Sequence, residues 1–341
     1  MASRLMQDAL RIDRQQIVWW PAIRGSIVVG IIAALFIGTE QPQAAIPAAI
    51  GALFAAVAEM GQPIGHRWRT MLWTTWWLMV ATFVGGVVSN TPWLVILIAI
   101  PAALFGGFAP ALGKRAGLIG VLAMVVFTIS SGTEQSFATA ATSTLLIGLG
   151  GLIQTIIVVT PYLFRVPRDL LTAGVGWDIA HLRNHLHAAD PILRHAVRLA
   201  IALLVGTAIS QAFMFEHSYW IPMTIVWMSR PYPAETVTRV VARLIGTIGG
   251  VLFVSIMIDG LGLSGMGIVV PLVIGSITSL VFIWADYAIA VAGVTTVVVA
   301  LFALNGDPIL ETAGLRIAAT AGAALLTLLA ILIWRTPEAT Q

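Results

Sequence analysis

Uncharged apolar runs, several reaching about 18 to 20 residues, recur along this chain between short polar clusters. A helix needs about that length to cross a hydrocarbon core about 30 Å thick, so the pattern predicts membrane helices and not a barrel. Twelve spans are expected, over about 24–38, 44–59, 70–89, 92–110, 115–131, 138–160, 195–213, 219–229, 238–258, 266–284, 287–304 and 313–334. The eighth is short and contains Pro222, a candidate for a broken or re-entrant segment that only protein or water can accommodate. The fold class that follows is all-α, a polytopic transmembrane bundle.

Composition agrees with this pattern. Of 341 residues, 59% are hydrophobic and 10% charged, too few charges to cover a soluble domain of this size. The formal charge of +3 says little with so few ionisable groups, and a nucleic-acid partner is not expected. With no cysteine, disulfides, thiolate zinc sites, iron–sulfur clusters and thiol nucleophiles are excluded. The first residues mix Arg4, Asp8, Arg11, Asp13 and Arg14 with Leu5, Met6, Leu10, Ile12 and Ile17. They read as an amphipathic surface helix over 1–23 with a Trp19-Trp20-Pro21 interfacial anchor, and not as a signal peptide. Most other tryptophans also border spans, as interfacial anchors do.

Where the basic residues sit predicts orientation, because Lys and Arg in short loops resist translocation. Arg67, Arg69, Lys114, Arg115, Arg165, Arg168, Arg183, Arg194, Arg198, Arg230, Arg239, Arg243 and Arg335 fall on one side, with the N-terminal arginines. The opposite loops hold Glu40, Glu134, Glu216, Asp259, Asp307 and Glu311. Both termini are therefore expected in the cytoplasm, in an inner membrane. An offset of about 174 residues superimposes Arg24 on Arg198, Arg69 on Arg243 and, with one slipped position, Ile46-Pro47 on Ile221-Pro222. Two parallel six-span repeats are expected, 24–161 and 195–335, with a pathway along their axis and a short cytoplasmic tail, 336–341. Residues 162–194 are expected to be a cytoplasmic connecting helix, too short for an enzyme domain.

The stretch from Tyr219 to Gly250 resembles the signature of the fusaric acid resistance and aromatic acid exporter family, to which plant aluminium-activated malate channels are related. Tyr-Trp-x-Pro, a paired Arg-x-x-x-Arg and Gly-Thr-x-x-Gly are matched by Tyr219, Trp220, Pro222, Arg239, Arg243, Gly246, Thr247 and Gly250. The first half carries a weaker version at residues 51–59 and Arg67-Trp68-Arg69, without the Gly-Thr-x-x-Gly. The resemblance implies a transporter of small organic anions, with Arg69, Arg239, Arg243, Thr247, Tyr219 and Trp220 as candidates for substrate binding. The larger bacterial relatives add cytoplasmic domains that have no counterpart in these residues.

Arg239 and Arg243 are one turn apart and share a helix face, which suits an anion funnel, although helix-end anchoring explains them equally. Gly246 and Gly250 have the spacing of close helix packing. Thr247 is expected to bond back to its own helix carbonyl. Arg316 lies inside the last span, as a snorkelling group or with Glu311, Asp307 or Asp259 as partner. Asp286 is expected to pair with Lys114, with a coupling proton as the alternative, and Glu59 is a second proton-carrier candidate against simple solvation. His217 is a candidate responder to external pH, with loop solvation the simpler role. Asp178, His181 and His185 share one helix face, but exposed polar residues are expected there and no metal or other cofactor is assigned.

No phosphate-binding loop, nucleophile elbow or His-Glu-x-x-His helix is present, so neither ATP hydrolysis nor other catalysis is expected. The leading expectation is a secondary exporter of small carboxylates, followed by a passive anion channel and by a non-transporting scaffold. A major-facilitator transporter fits less well, because residues 61–69 lack the acidic residue of that family's loop. The partners expected are the anion and the lipid bilayer, with a homo-oligomer or accessory efflux subunits left open.

Overall fold

The computed structural model describes residues 10–60, 64–164, 182–188, 190–213 and 217–333, and among them every regular element is helical. The α-helices are α1 (Trp19–Gly38), α2 (Pro42–Glu59), α3 (Ile64–Val88), α4 (Pro92–Phe108), α5 (Lys114–Ser131) and α6 (Phe137–Leu163). They continue with α7 (Pro191–Phe213), α8 (Trp220–Met228), α9 (Pro233–Ser255), α10 (Val269–Phe282), α11 (Tyr287–Ala303) and α12 (Ile309–Ile333). Among the described residues, ten helices are long and apolar enough to cross a membrane. The nine-residue α8 and the 17-residue α11 are shorter. Exposed apolar side chains such as Leu35, Phe105, Ile156 and Leu252 are suited to lipid as solvent.

The expected amphipathic helix over 1–23 is not what residues 10–18 form. They hold a single 3-10 turn, Arg14–Gln16, capped by Asp13, whose Oδ1 accepts from Gln15 N at 3.1 Å. α1 already begins at Trp19, because Pro21 falls in the first turn, where its missing N–H costs no hydrogen bond. Residues 1–9, most of the expected connecting helix (165–181) and the tail lie outside the described residues. Near that connection, α6 runs to Leu163 and a 3-10 turn covers Arg183–His185.

Packing divides the chain into two compact units, neither of which coincides with a half of the sequence. One comprises the described residues of 1–79, 143–174 and 241–317, the other those of 80–142, 175–240 and 318–341. In the first unit α1 packs on α2 and α10, and α10 on α11. α2 is its central helix, buried at nearly every position from Ala48 to Glu59. Its alanines and Gly51 let α6 approach to backbone contact. A Cβ on Gly51 would be driven into the Ile147 carbonyl, and one on Gly150 into the Ala48 carbonyl. Neither neighbour is a side-chain end that can swing away. Gly51→Ala is therefore expected to cost about 2 kcal/mol or more, measured as a lower midpoint in detergent unfolding.

In the second unit α4 packs on α5 and α7, and α8 on both α5 and α7. α8 is buried along its whole length. Tyr219 stands directly against Gly132, where even a methyl group would collide with its ring. The start of α7 is capped by Asp190, whose Oδ1 accepts from Ile192 N at 2.8 Å and Leu193 N at 3.1 Å. Its Oδ2 bonds His185 Nδ1 at 2.8 Å. Burial pushes this carboxyl up, but the bonds from His185, Leu193 and Ile192 together outweigh it and hold Asp190 below its ordinary 3.8. A lowered pKa means stability that is present above pH 3.8 and lost as pH falls through the folded value. Asp190→Ala is expected to cost about 1 kcal/mol near neutrality, and its unfolding midpoint should converge with the wild type in strong acid.

Candidate functional site

Helix ends of the first unit meet at a buried ion-pair cluster. Glu59, the last residue of α2, is 1% exposed and accepts from Arg24 of α1. Arg67 of α3 lies 3.5 Å from the same carboxylate oxygen and gives Nη1 to the Tyr162 hydroxyl of α6 at 2.8 Å. Glu59 is thus neither solvated nor alone: two guanidiniums stabilise its charge. Contacts 35 and 95 residues apart in sequence build this cluster.

Elsewhere in the same unit, α9 carries Arg243, 1% exposed, with Nε and Nη2 lacking a hydrogen-bond partner among the described residues. Four residues on, one turn along the same face, Thr247 is also 1% exposed and its hydroxyl likewise lacks a partner. The expected bond of Thr247 to its own helix carbonyl is therefore not made. Elsewhere that bond is the rule, as in Thr74 to Thr70 O at 2.8 Å and Thr155 to Gly151 O at 2.7 Å. The face bearing Arg243 and Thr247 is pressed on α11. Gly246 abuts the Ala288 carbonyl, and Gly250 abuts the Ala292 carbonyl and Thr295. α11 in turn meets α10 where Gly275 and Gly293 oppose each other.

Three further hydroxyls on these helices, Ser276 and Ser279 of α10 and Thr295 of α11, are at most 1% exposed and lack hydrogen-bond partners among the described residues. So do both amide atoms of Gln154 on α6, whose Nε2 lies near Gly25 beside Leu280. A buried hydroxyl without a partner costs about 1 to 3 kcal/mol, so each of these groups would gain from a polar guest. Arg243 adds a buried positive charge on α9, on the helix face that also carries Thr247.

The other residues singled out from the sequence are dispersed. Arg69 lies over the Trp68 ring at 5.0 Å, beside Leu72, Trp73 and Trp76 on a largely exposed flank of α3. It does not share the burial of Arg243, its counterpart at the 174-residue offset. Arg239 is half-buried on α9 within the second unit. Tyr219 and Trp220 are 3% and 1% exposed, at the end of α8 opposite Arg230, and His217 stacks on Trp220 at 4.5 Å. Arg316 is fully buried, so it does not snorkel. Asp286 caps α11 by accepting from Ile289 N at 2.9 Å. Burial raises its carboxyl above the ordinary range, against the opposing pull of the Ile289 and Ala288 amides. Asp178 and His181 lie outside the described residues, and His185 serves Asp190.

Sequence reasoning missed Gln154, Ser276, Ser279 and Thr295. The available signal was weak: single small polar residues inside apolar runs, close in sequence to glycines.

Residues 201–330 match the family described as fusaric acid resistance protein-like, which includes the stretch 219–250 on which the resemblance rests. Inner membrane protein YccS of Escherichia coli is 32% identical over 126 residues, 37% of this chain and 17% of that protein. An uncharacterized protein of Haemophilus influenzae is 35% identical over 99 residues, 29% of this chain and 14% of the relative. One of Synechocystis is 35% identical over 80 residues, 24% and 10% of the respective chains. The matched stretches thus span less than a fifth of these relatives' lengths. No solved structure matches the chain significantly.

Proposed function

With residues 201–330 belonging to the fusaric acid resistance-like family, we propose that this polytopic membrane protein is an inner-membrane secondary transporter exporting small organic carboxylates, aromatic ones among them. The observation that carries this reading is Arg243. A guanidinium buried to 1% in a helix that crosses the membrane is costly, and such groups face a partner or a pathway. The hydroxyl of Thr247 on the same face, with Ser276, Ser279 and Thr295 on the neighbouring helices, suits a carboxylate that needs both charge and hydrogen-bond donors.

Pairings inside the units support a twelve-span duplicated plan. Under the 174-residue offset, α1 on α2 corresponds to α7 on α8, α1 on α10 to α7 on α4, and α10 on α11 to α4 on α5. Each unit would then combine helices of both repeats, and a site in the first unit would lie between repeats. With both termini in the cytoplasm, the basic ends of the helices collect the anion there. The membrane potential drives it outward by about 2.3 kcal/mol per charge per 100 mV. Asp286 and Arg316 are the groups proposed to couple or gate.

The deciding experiment is anion flux from liposomes holding the purified chain, with benzoate as probe and an imposed potential. Potential-driven benzoate flux is expected. A chain that inserts and folds but passes no carboxylate would sink the transport reading and favour a scaffold. Flux that rises with benzoate concentration without saturating would favour a passive channel.

A further inference from the structure

Arg243, Gly246, Thr247 and Gly250 form one stripe along α9, and that stripe runs in step with α11. Gly246 meets the Ala288 carbonyl and Val291, and Gly250, four residues on, meets the Ala292 carbonyl, also four residues on. The two helices are therefore parallel along this seam. Because both rise equally per residue, Arg243, three residues before Gly246, comes level with Ala285, three before Ala288. Ala242 and Ala288 pack together at the same end, with Val241 and Tyr287 against them. A helical side chain leans towards the N-terminus of its own helix, which carries the buried guanidinium onto the turn that opens α11. That turn holds Asp286, 4% exposed, whose Oδ1 accepts from Ile289 N at 2.9 Å. Its Ala285 carbonyl accepts from Asp13 N at 2.8 Å, which ties the turn to the N-terminal segment.

We propose that the start of α11 and Arg243 together form a carboxylate subsite, in which Asp286 is the tethered competitor that a substrate carboxylate displaces. The choice of a carboxylate as ligand rests on the transport reading above. Two independent features call for an anion here. The first amides of α11 and its dipole favour negative charge, and Asp286 already answers them by capping the helix. Arg243, on the facing stripe, keeps Nε and Nη2 buried and without a partner among the described residues. An incoming carboxylate that replaced Asp286 at the cap would accept the same amide and add charge-assisted bonds from Arg243. The exchange itself makes the room, since turning Asp286 aside clears the volume of one carboxylate.

Asn and Ser cap a helix about as well as Asp. Asp286→Asn and Asp286→Ser therefore keep the cap while removing the competing charge, and either suffices if the other does not fold. The full chain is unfolded thermally in detergent over a range of benzoate concentrations. A saturable rise in midpoint is expected. Its half-saturation should fall about tenfold in both Asp286 variants and rise about tenfold in Arg243→Gln. A side chain that only capped α11 would leave the half-saturation unmoved in the Asn and Ser variants, and that result would overturn the subsite. So would the absence of a saturable rise in the wild type. Benzoate flux in liposomes separates this inference from the transport reading. A chain that passes benzoate with a KM indifferent to Asp286→Asn keeps transport and loses the subsite. One that binds benzoate in the expected order but passes none keeps the subsite and loses transport.

Discussion

Arg243→Gln is expected to cut carboxylate flux by about tenfold to hundredfold while leaving the protein folded. The loss corresponds to one charge-assisted hydrogen bond, about 1.5 to 3 kcal/mol, no longer offered to the anion. Stability should move the other way from what a structural arginine predicts. Replacing a buried charge by a group of similar volume is often neutral or stabilising, so Arg243→Met should unfold at the same temperature as the wild type or higher. A role confined to packing or helix anchoring predicts the reverse: a lower midpoint and unchanged flux per folded molecule. Arg69→Gln provides the comparison, with a smaller loss expected because Arg69 lies on an exposed tryptophan flank.

Glu59→Gln should be among the most destabilising conservative changes in the chain. Its carboxylate is 1% exposed, and the two guanidiniums it joins are 15% and 23% exposed, so water can screen them only in part. Removing one side of a buried pair costs about 3 to 5 kcal/mol, and the partial exposure of the arginines places the expectation near the lower figure. Adding Arg24→Gln to Glu59→Gln should recover part of the loss, because the second change removes one uncompensated charge. Equal midpoints for the double and single variants would show that the carboxylate stabilises the fold by some route other than the Arg24 pair.

The helices were legible in the sequence because lipid-solvated runs tolerate few interruptions. What blurred was their ends. α3 reaches back to Ile64 and so includes Arg67 and Arg69, and α9 to Pro233. Arginine is a good helix former, so helices run past the apolar stretch that announces them. Arg243 and Thr247 were legible through a motif, but the state of the Thr247 hydroxyl was not, since it depends on how α11 packs. The Arg24–Glu59–Arg67–Tyr162 cluster was illegible for a simpler reason. Its members read singly as helix-end charges, and nothing local says that the ends of α1, α2, α3 and α6 meet.

The meeting of α9 with α11 has a kinetic consequence. At Gly246 the seam is closed by the Ala288 carbonyl and Val291, and at Gly250 by the Ala292 carbonyl and Thr295. Freezing long side chains is a large part of the entropy lost when two helices dock, and at these two glycines the side chains met are β-branched and already stiff at χ1. It can therefore part and re-form without a search through rotamers. Swift, shallow breathing is what a transient doorway to Arg243 would require.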